Sequence, residues 1–357
     1  MFTISLCMIV RDEEGTLRRC LDSVKEVVDE IIIVDTGSRD HTAEIAREFT
    51  EKVYEFQWID DFSAARNYGL ERATQDYCMW LDADDVLKPE EAEKIQRLKE
   101  EMPVDVDVVM MKYAIAFDEW DRPTFTYYRE RLVRNGDRCR FAGRVHEAIT
   151  PFGTVKYEEI YVEHRKVKAS DSNRNLRIYE RMVREGEILG PRETYYYGRE
   201  LYDHGRWRKA GRMLREFLRM PSGWEEDKKE ACRLLAVCYY KQGHREKGLH
   251  SLLRGLAYGA PRPELCCDLG GWFLEEQMWE TAVYWYEQAL QAPRPEKGFC
   301  RENSRGYLPC LQLCVCWYRL GNYDKALYYH KEAGRWNPRG KEYLRNVPFF
   351  ENLAYCK

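Results

Sequence analysis

The chain lacks any apolar stretch approaching the roughly 20 residues that a membrane-spanning helix requires. Its opening, MFTISLCMIVRDEE, meets charge too early for a secretory leader. No Pro-, Ser- or Gly-rich tract and no polar tail interrupts the 357 residues, so folded domains in the cytoplasm are expected. Paired cysteines at the two-to-four-residue spacing of structural zinc sites are also missing. Cys266-Cys267 and the group Cys310, Cys314, Cys316 do not have it. Most of the thirteen cysteines, such as Cys7, Cys78, Cys232 and Cys238, sit inside apolar runs, where a reduced thiol acts as a small buried hydrophobe.

What is present divides in two. At this length more than one hydrophobic core is expected. The overall charge of -4 conceals an asymmetry: residues 1–165 hold 23 basic and 36 acidic residues, a net -13, and the remainder holds 34 against 25, a net +9. The basic half alternates its charges in sign along helical patterns, as a solvated helix face does, so nucleic-acid binding is not expected.

The first half alternates strand and helix signals. TISLCMIV, EIIIVDT, KVYEFQW and YCMWLDADD read as short buried strands. RDEEGTLRRCLDSVKEV, HTAEIAREF, FSAARNYGLERAT and PEEAEKIQRLKEE have helical spacing, the last with the proline and acids of a helix start. That order predicts a mostly parallel, doubly wound sheet. Past residue 104, DVDVVMMKYAI, TFTYYRERLVRN, RFAGRVHEAI and VKYEEIYVEHR add further β segments, making the sheet mixed. In such sheets ligands bind beyond the carboxyl ends of the strands, where Asp35, Asp61, Asp82, Asp84 and Asp85 all fall. Carboxylates as crowded as those of "LDADD" belong either to a solvated turn or to a cation.

The second half repeats itself. Gly205-Arg206-Trp207 with Ala210, Gly243-His244-Arg245 with Gly248, Gln277-Met278-Trp279 with Ala282, and Gly321-Asn322-Tyr323 with Ala326 share one pattern, their third residues 38, 34 and 44 apart. That lies close to the tetratricopeptide period of about 34. The downstream set Tyr286, Ala289, Pro293 and then Ala333, Pro338 continues it. The alternative is an ordinary helical bundle. Either way this half binds or positions a partner rather than performing chemistry.

"LCMIVRDEEGTLRRCLDSV", "EIIIVDTGSRDHT", "DDFSAARNYGLERA", "YCMWLDADD" and "GRVHEAI" resemble, in order and spacing, the motifs of family 2 glycosyltransferases with the GT-A fold. The helical extension resembles the tetratricopeptide tails of bacterial members. The resemblance implies a Rossmann-like, mostly parallel mixed sheet over residues 1–168 and an all-α, TPR-like repeat domain over 169–357. It further implies transfer of a sugar, with inversion, from a nucleotide-sugar to a peptide or glycan acceptor, with Mg²⁺ or Mn²⁺. A UDP-hexose is the donor expected. The missing QxxRW string argues against a processive polysaccharide synthase.

By the same resemblance Asp82-Ala83-Asp84 is similar to the Asp-x-Asp motif, with Asp84 the direct metal ligand and Asp82 facing ribose or sugar. Asp35 matches the acid that binds base or ribose, and Ile9, Val10, Arg11 and Glu13 line the same edge. Glu13 and Glu14 have a plainer alternative as first-turn helix acids. Asp61 and Arg66 resemble the pair near base and diphosphate; Thr36 stands where many members carry a second Asp. For the general base that inversion needs, Glu147 is the first candidate and Asp85 the second, with His146 as metal ligand or diphosphate donor. Two other classes compete: an inactive scaffold whose repeats do the work, and a nucleotidyltransferase. The scaffold should have lost Asp82 and Asp84, and the nucleotidyltransferase needs a glycine-rich loop that "IVRDEEGTL" does not provide. Self-association of the repeats into a homodimer is a further expectation.

Overall fold

The computed structural model describes residues 1–167, 171, 173–293 and 300–355. It divides into two compact units, Met1–Ile188 and Leu189–Lys357. The boundary expected at residues 168 and 169 lies outside the described residues.

In the first unit the elements follow as β1 (Ile4–Val10), α1 (Leu17–Val24), β2 (Glu30–Asp35), α2 (Thr42–Arg47), β3 (Val53–Glu55), α3 (Phe62–Leu70), β4 (Tyr77–Trp80), β5 (Asp85–Val86) and α4 (Pro89–Glu101). Then come β6 (Val106–Phe117), β7 (Pro123–Arg134), β8 (Phe141–Ala142), β9 (Ala148–Ile149), β10 (Thr154–His164) and α5 (Arg174–Arg184). The sheet order is β3-β2-β1-β4-β7-β6-β10-β5. β1 runs parallel to both β2 and β4, while β7 is antiparallel to β4 and β6. This is the mixed, parallel-rich GT-A architecture. RFAGRVHEAI yields only the two-residue pair β8-β9, a ribbon separate from the main sheet, and KVYEFQW only the three residues of β3.

Both faces of β1 are buried, which is why ISLCMIV carries no alternation of polarity. Ile4, Leu6, Met8 and Val10 pack with Leu17, Leu21 and Val24 of α1 and Ile95 and Leu98 of α4. Cys7 faces the opposite layer with Leu70 of α3, Trp80 and Phe141. α1 buries Leu17, Cys20, Leu21 and Val24, one helical stripe. β2 and β4 flank β1 on opposite sides, so the strand order reverses there, the place past the carboxyl ends of the strands where sheets of this kind bind their ligands.

The second unit pairs α6 (Pro191–Asp203) with α7 (Trp207–Phe217), α8 (Glu225–Tyr240) with α9 (Arg245–Gly255), α10 (Pro263–Glu275) with α11 (Trp279–Gln291), and α12 (Tyr307–Arg319) with α13 (Tyr323–Trp336); α14 (Lys341–Tyr355) follows. Each copy of the repeated motif is the turn within a pair. Gly205, Gly243, Gln277 and Gly321 adopt φ of 67°, 78°, 60° and 76°. The residue after each donates its N–H five residues back, as Arg206 does to Leu201 O (2.8 Å) and Met278 to Phe273 O (2.9 Å). This closes the first helix with a left-handed cap. The small residue that follows sits where the paired helices touch: Ala210, Ala282 and Ala326 are fully buried, and a Cβ on Gly248 would lie 2.9 Å from the Tyr240 ring. Eleven cysteines, from Cys7 to Cys316, are buried free thiols. Among the described residues no helix is long and apolar enough to cross a membrane.

Candidate active site

Two charged groups meet beyond β1 and β4. The first is built on Arg66, one turn into α3. Asp61 starts that helix by accepting the Ala64 N–H (2.9 Å) and the Ser63 hydroxyl (2.7 Å). The buried Arg66 donates Nε to Glu147 (2.6 Å) and Nη2 to Asp82 (2.6 Å), and its guanidinium packs over the rings of Trp80 and Phe141. Burial alone would depress its pKa, but Asp82 and Glu147 raise it, so it stays charged. For Asp82, burial favours the acid form, and Arg66 and Arg131 overcome that and hold the carboxylate well below its usual range.

The second group is set by strand register. β10 pairs antiparallel with β5, placing His164 opposite Asp85. His164 Nδ1 lies 3.2 Å from both Asp84 Oδ1 and Asp85 Oδ1. Ligand-capable atoms of Asp84, Asp85 and His164 all fall within 4.8 Å of one another. Asp85 is fully buried, and both its oxygens are taken. Oδ1 accepts from the Tyr113 hydroxyl (2.9 Å), and Oδ2 lies 3.0 Å from the Asp82 N–H and 3.2 Å from Arg131 Nη1. Arg131 is itself fully buried, stacked against Trp80 and Tyr113, and donates to Trp80 O (2.9 Å). Burial lowers the His164 pKa, but the bonds to Asp84 and Asp85 outweigh it and hold the imidazole up at about 10.

The other residues singled out in the sequence take the following places. Asp35 Oδ1 closes its own turn, accepting from Gly37 N (3.0 Å), Ser38 N (2.8 Å) and the Ser38 hydroxyl (2.8 Å). Glu13 accepts from the Thr16 hydroxyl (2.8 Å) in the turn that precedes α1. Ile9 and Val10 end β1, with Val10 O accepting from Thr36 N (3.0 Å), and Arg11 stands exposed just beyond. His146 adopts φ 53° and stacks on Tyr179 of α5. The structure thus brings together Arg66, Asp82 and Glu147, and separately Asp84, Asp85 and His164. His146 is not part of that second cluster.

Sequence reasoning missed His164, Tyr113 and Arg131. A histidine closing the last strand of "YVEHR" was the available signal, but its partners lie 79 positions away.

The profile of glycosyl transferase family 2 matches residues 5–153. A TPR repeat-containing protein of Synechococcus elongatus is 32% identical over 302 residues, covering 82% of this chain and 67% of that protein. The SPbeta prophage-derived glycosyltransferase SunS of Bacillus subtilis is 30% identical over 215 residues, covering 56% of this chain and 49% of that protein. Among solved structures, glucosyl-3-phosphoglycerate synthase from Mycobacterium tuberculosis shares 22% identity across 31% of this chain and 43% of that one, with a TM-score of 0.28. The chain thus carries a glycosyl transferase family 2 domain at residues 5–153, followed by a TPR-like helical unit. It spans about two thirds of the first of these relatives and about half of SunS.

Proposed function

We propose that the protein is an inverting, metal-dependent glycosyltransferase that moves a hexose from a nucleotide-sugar, a UDP-hexose in our reading, to a peptide or glycan acceptor positioned by the helical repeats. The observation that carries this is the convergence of Asp84, Asp85 and His164 beside Asp82, Arg66 and Glu147 at the carboxyl ends of β1 and β4.

The donor set fits a divalent cation. Asp84 and His164 are partly exposed; a bound cation would displace the proton that His164 shares with Asp84 and Asp85 and take a carboxylate oxygen and an imidazole nitrogen, a pairing that favours Mn²⁺ over Mg²⁺. Asp85 has no free oxygen and serves as the support that aims His164, which replaces His146 as the histidine we assign to the metal. The bound cation would supply Lewis-acid stabilisation of the charge shed on to the departing diphosphate.

The chain's own residues do the rest. Asp35 has one oxygen without a protein partner among the described residues, and it can accept from ribose or base. Asp82, fixed by Arg66, faces the donor sugar. Glu147 is engaged through Oε1, and its Oε2 takes the proton from the acceptor hydroxyl or thiol as that atom attacks the anomeric carbon. Asp85, the other candidate base, is sealed in the core with both oxygens occupied, so we assign it positioning alone.

The test is release of nucleoside diphosphate from a panel of nucleotide-sugars with Mn²⁺ or Mg²⁺. Asp84→Ala is expected to lower the rate by roughly a thousandfold, the several kcal/mol that a Lewis-acid contact contributes. A purified chain that neither binds nor turns over any member of the panel defeats the reading.

A further inference from the structure

The inference rests on the reading that the helical repeats position an acceptor, and it names the acceptor's class. It concerns two neighbouring turns of the helical unit, the one between α6 and α7 and the one that ends α8. Arg206, Trp207, Arg208, Lys209, Lys241 and His244 wall an open recess there of about 730 Å³, and among the described residues no carboxylate lines it. Arg208, Lys209 and Lys241 are exposed, and none of the three makes an ion pair among the described residues. Their charges therefore add, and cations on the walls of one recess focus a positive potential into it. The chain as a whole carries -4, so that potential is local.

The repeat itself does not require these cations. The other three helix-pair turns place an acid after the third residue of the motif: Glu246 after Arg245, Glu280 after Trp279 and Asp324 after Tyr323. An acid in the first turn suits the positive end of a helix, and a cation there is disfavoured. α7 has Arg208 and Lys209 instead, with no acid in its first turn. A local choice that runs against helix stability belongs with function.

The recess suits an acidic polypeptide segment. A bilayer meets a flat or convex surface, and a recess withdraws its cations from one. A phosphate group suits guanidinium forks that converge on one point. Here two of the three unpaired charges are lysine ammoniums, and the three are spread over two helix pairs, which suits carboxylates arriving singly along a chain. Trp207 adds a half-buried ring, set edge-on to Tyr202 with 5.2 Å between centroids, against which an apolar side chain of the same segment can pack.

We propose that this recess binds an acidic segment of a polypeptide acceptor, holding it by a stretch apart from the residue that receives the sugar.

Fluorescence anisotropy of labelled octaglutamate, titrated with the full chain at low ionic strength, reads the binding. Arg208→Glu combined with Lys241→Glu should weaken it by about tenfold or more, and Arg208→Lys, which keeps the charge, should stay within about threefold of the wild type. Arg219→Glu combined with Lys331→Glu makes the same change of net charge at exposed positions outside the recess and should also stay within about threefold. A wild-type chain that does not bind octaglutamate would overturn the proposal, as would an equal loss in the two double variants. Tighter binding of tripolyphosphate, or of a thymidine oligonucleotide of equal charge, through the same residues would assign the recess to another class of ligand and overturn it too. Nucleoside diphosphate release from the nucleotide-sugar panel should be unchanged in the recess double variant. A wild-type chain that binds octaglutamate but no nucleotide-sugar would instead defeat the glycosyltransferase reading and leave the recess as a peptide site.

Discussion

The sheet unit and the helical unit both bury charge, and they do so on different length scales. In the sheet unit the pairs join distant positions: Arg66 to Glu147 across 81 residues and His164 to Asp85 across 79. Both of these end at one place, the carboxyl edge around β1 and β4. In the helical unit Arg233 meets Glu230 one turn away and Asp268 across 35 positions, about one repeat, and Arg262 reaches Glu230 across 32. A parallel sheet gathers strand ends into a centre, whereas a stack of helix pairs distributes its polar groups from one repeat to the next. The first arrangement supports chemistry at a point, and the second supports an extended surface.

The sharpest way to break the comparison is to attack a buried pair in the sheet unit. Arg131 and Asp85 are both fully buried. Arg131→Met keeps most of the volume but takes from the buried Asp85 carboxylate its one arginine, leaving His164, Tyr113 and the Asp82 N–H as its partners. We expect a loss of about 3–5 kcal/mol in denaturant unfolding, the cost of removing one partner from a buried pair. Adding Asp85→Asn should return a large part of that stability without returning activity, because the support behind His164 and the Asp82 N–H has changed. If Arg131→Met unfolds like the wild type, the pair does not hold the site as described.

The same difference in scale decides what could be read from the sequence. β1, β2 and β4 were legible because their apolar runs need no partner to be recognised. The helix-pair turns were legible because each lies within a six-residue window. The acid cluster at Asp82, Asp84 and Asp85 could be seen, but the division of labour within it could not. Asp85 is sealed by Arg131 and Tyr113, which reach it only through the pairing of β4 with β7 and β7 with β6. His164 enters through the register of β10 on β5, a two-residue strand with no recognisable pattern. Residues 174–184 fall inside the range expected for the repeats, yet the helix they form, α5, packs in the first compact unit. RFAGRVHEAI has the composition of a strand, but most of its length is spent on the turn that carries His146 and Glu147.

A second perturbation, smaller than the first, sharpens the contrast from the helical side. Asp227 and Glu230 are one turn apart on α8, both buried. Burial pushes Asp227 up to about 7, against Arg192, Arg199 and Arg262, and its Oδ1 has no hydrogen-bond partner among the described residues. Burial acts on Glu230 as well, but Arg233, Arg301 and Arg262 outweigh it and hold that carboxylate at about 2. The signs are therefore opposite. Asp227 favours folding below its unfolded pKa of about 4 and loses that contribution as pH rises through about 7. Glu230 contributes above its unfolded pKa and loses the contribution as pH falls toward 2. Asp227→Asn should stabilise α8 at pH 8 by on the order of 2–4 kcal/mol and at pH 5, about one unit above the unfolded pKa, by only about 1–2 kcal/mol. Hydrogen exchange of α8 in the full chain at the two pH values measures this. Equal protection in wild type and variant at pH 8 would mean that Asp227 is not held uncompensated.

The smallest expected effect separates the units most cleanly, because the same backbone feature serves each differently. Asp12, Asp60 and His146 in the sheet unit and Gln277 in the helical unit all adopt positive φ without being glycine. In the sheet unit the strained residues use their side chains: Asp12 accepts from Arg39 N (2.7 Å), and Asp60 accepts from Trp58 Nε1 (2.9 Å) and pairs with Arg181. Gln277 is exposed and makes no side-chain hydrogen bond among the described residues; the other three helix-pair turns place glycine there. A left-handed L-residue costs about 1–2 kcal/mol, and glycine's extra freedom in the unfolded chain returns part of that. Gln277→Gly should thus stabilise the protein by about 0.5 kcal/mol, read as slower hydrogen exchange in α10 and α11. Asp60→Gly relieves the same strain but gives up the bonds to Trp58 and Arg181, so it should destabilise. Opposite signs at two positions of nearly equal φ would show that the strain is incidental to the repeat turn and functional at the edge of the sheet, and equal signs would remove the distinction.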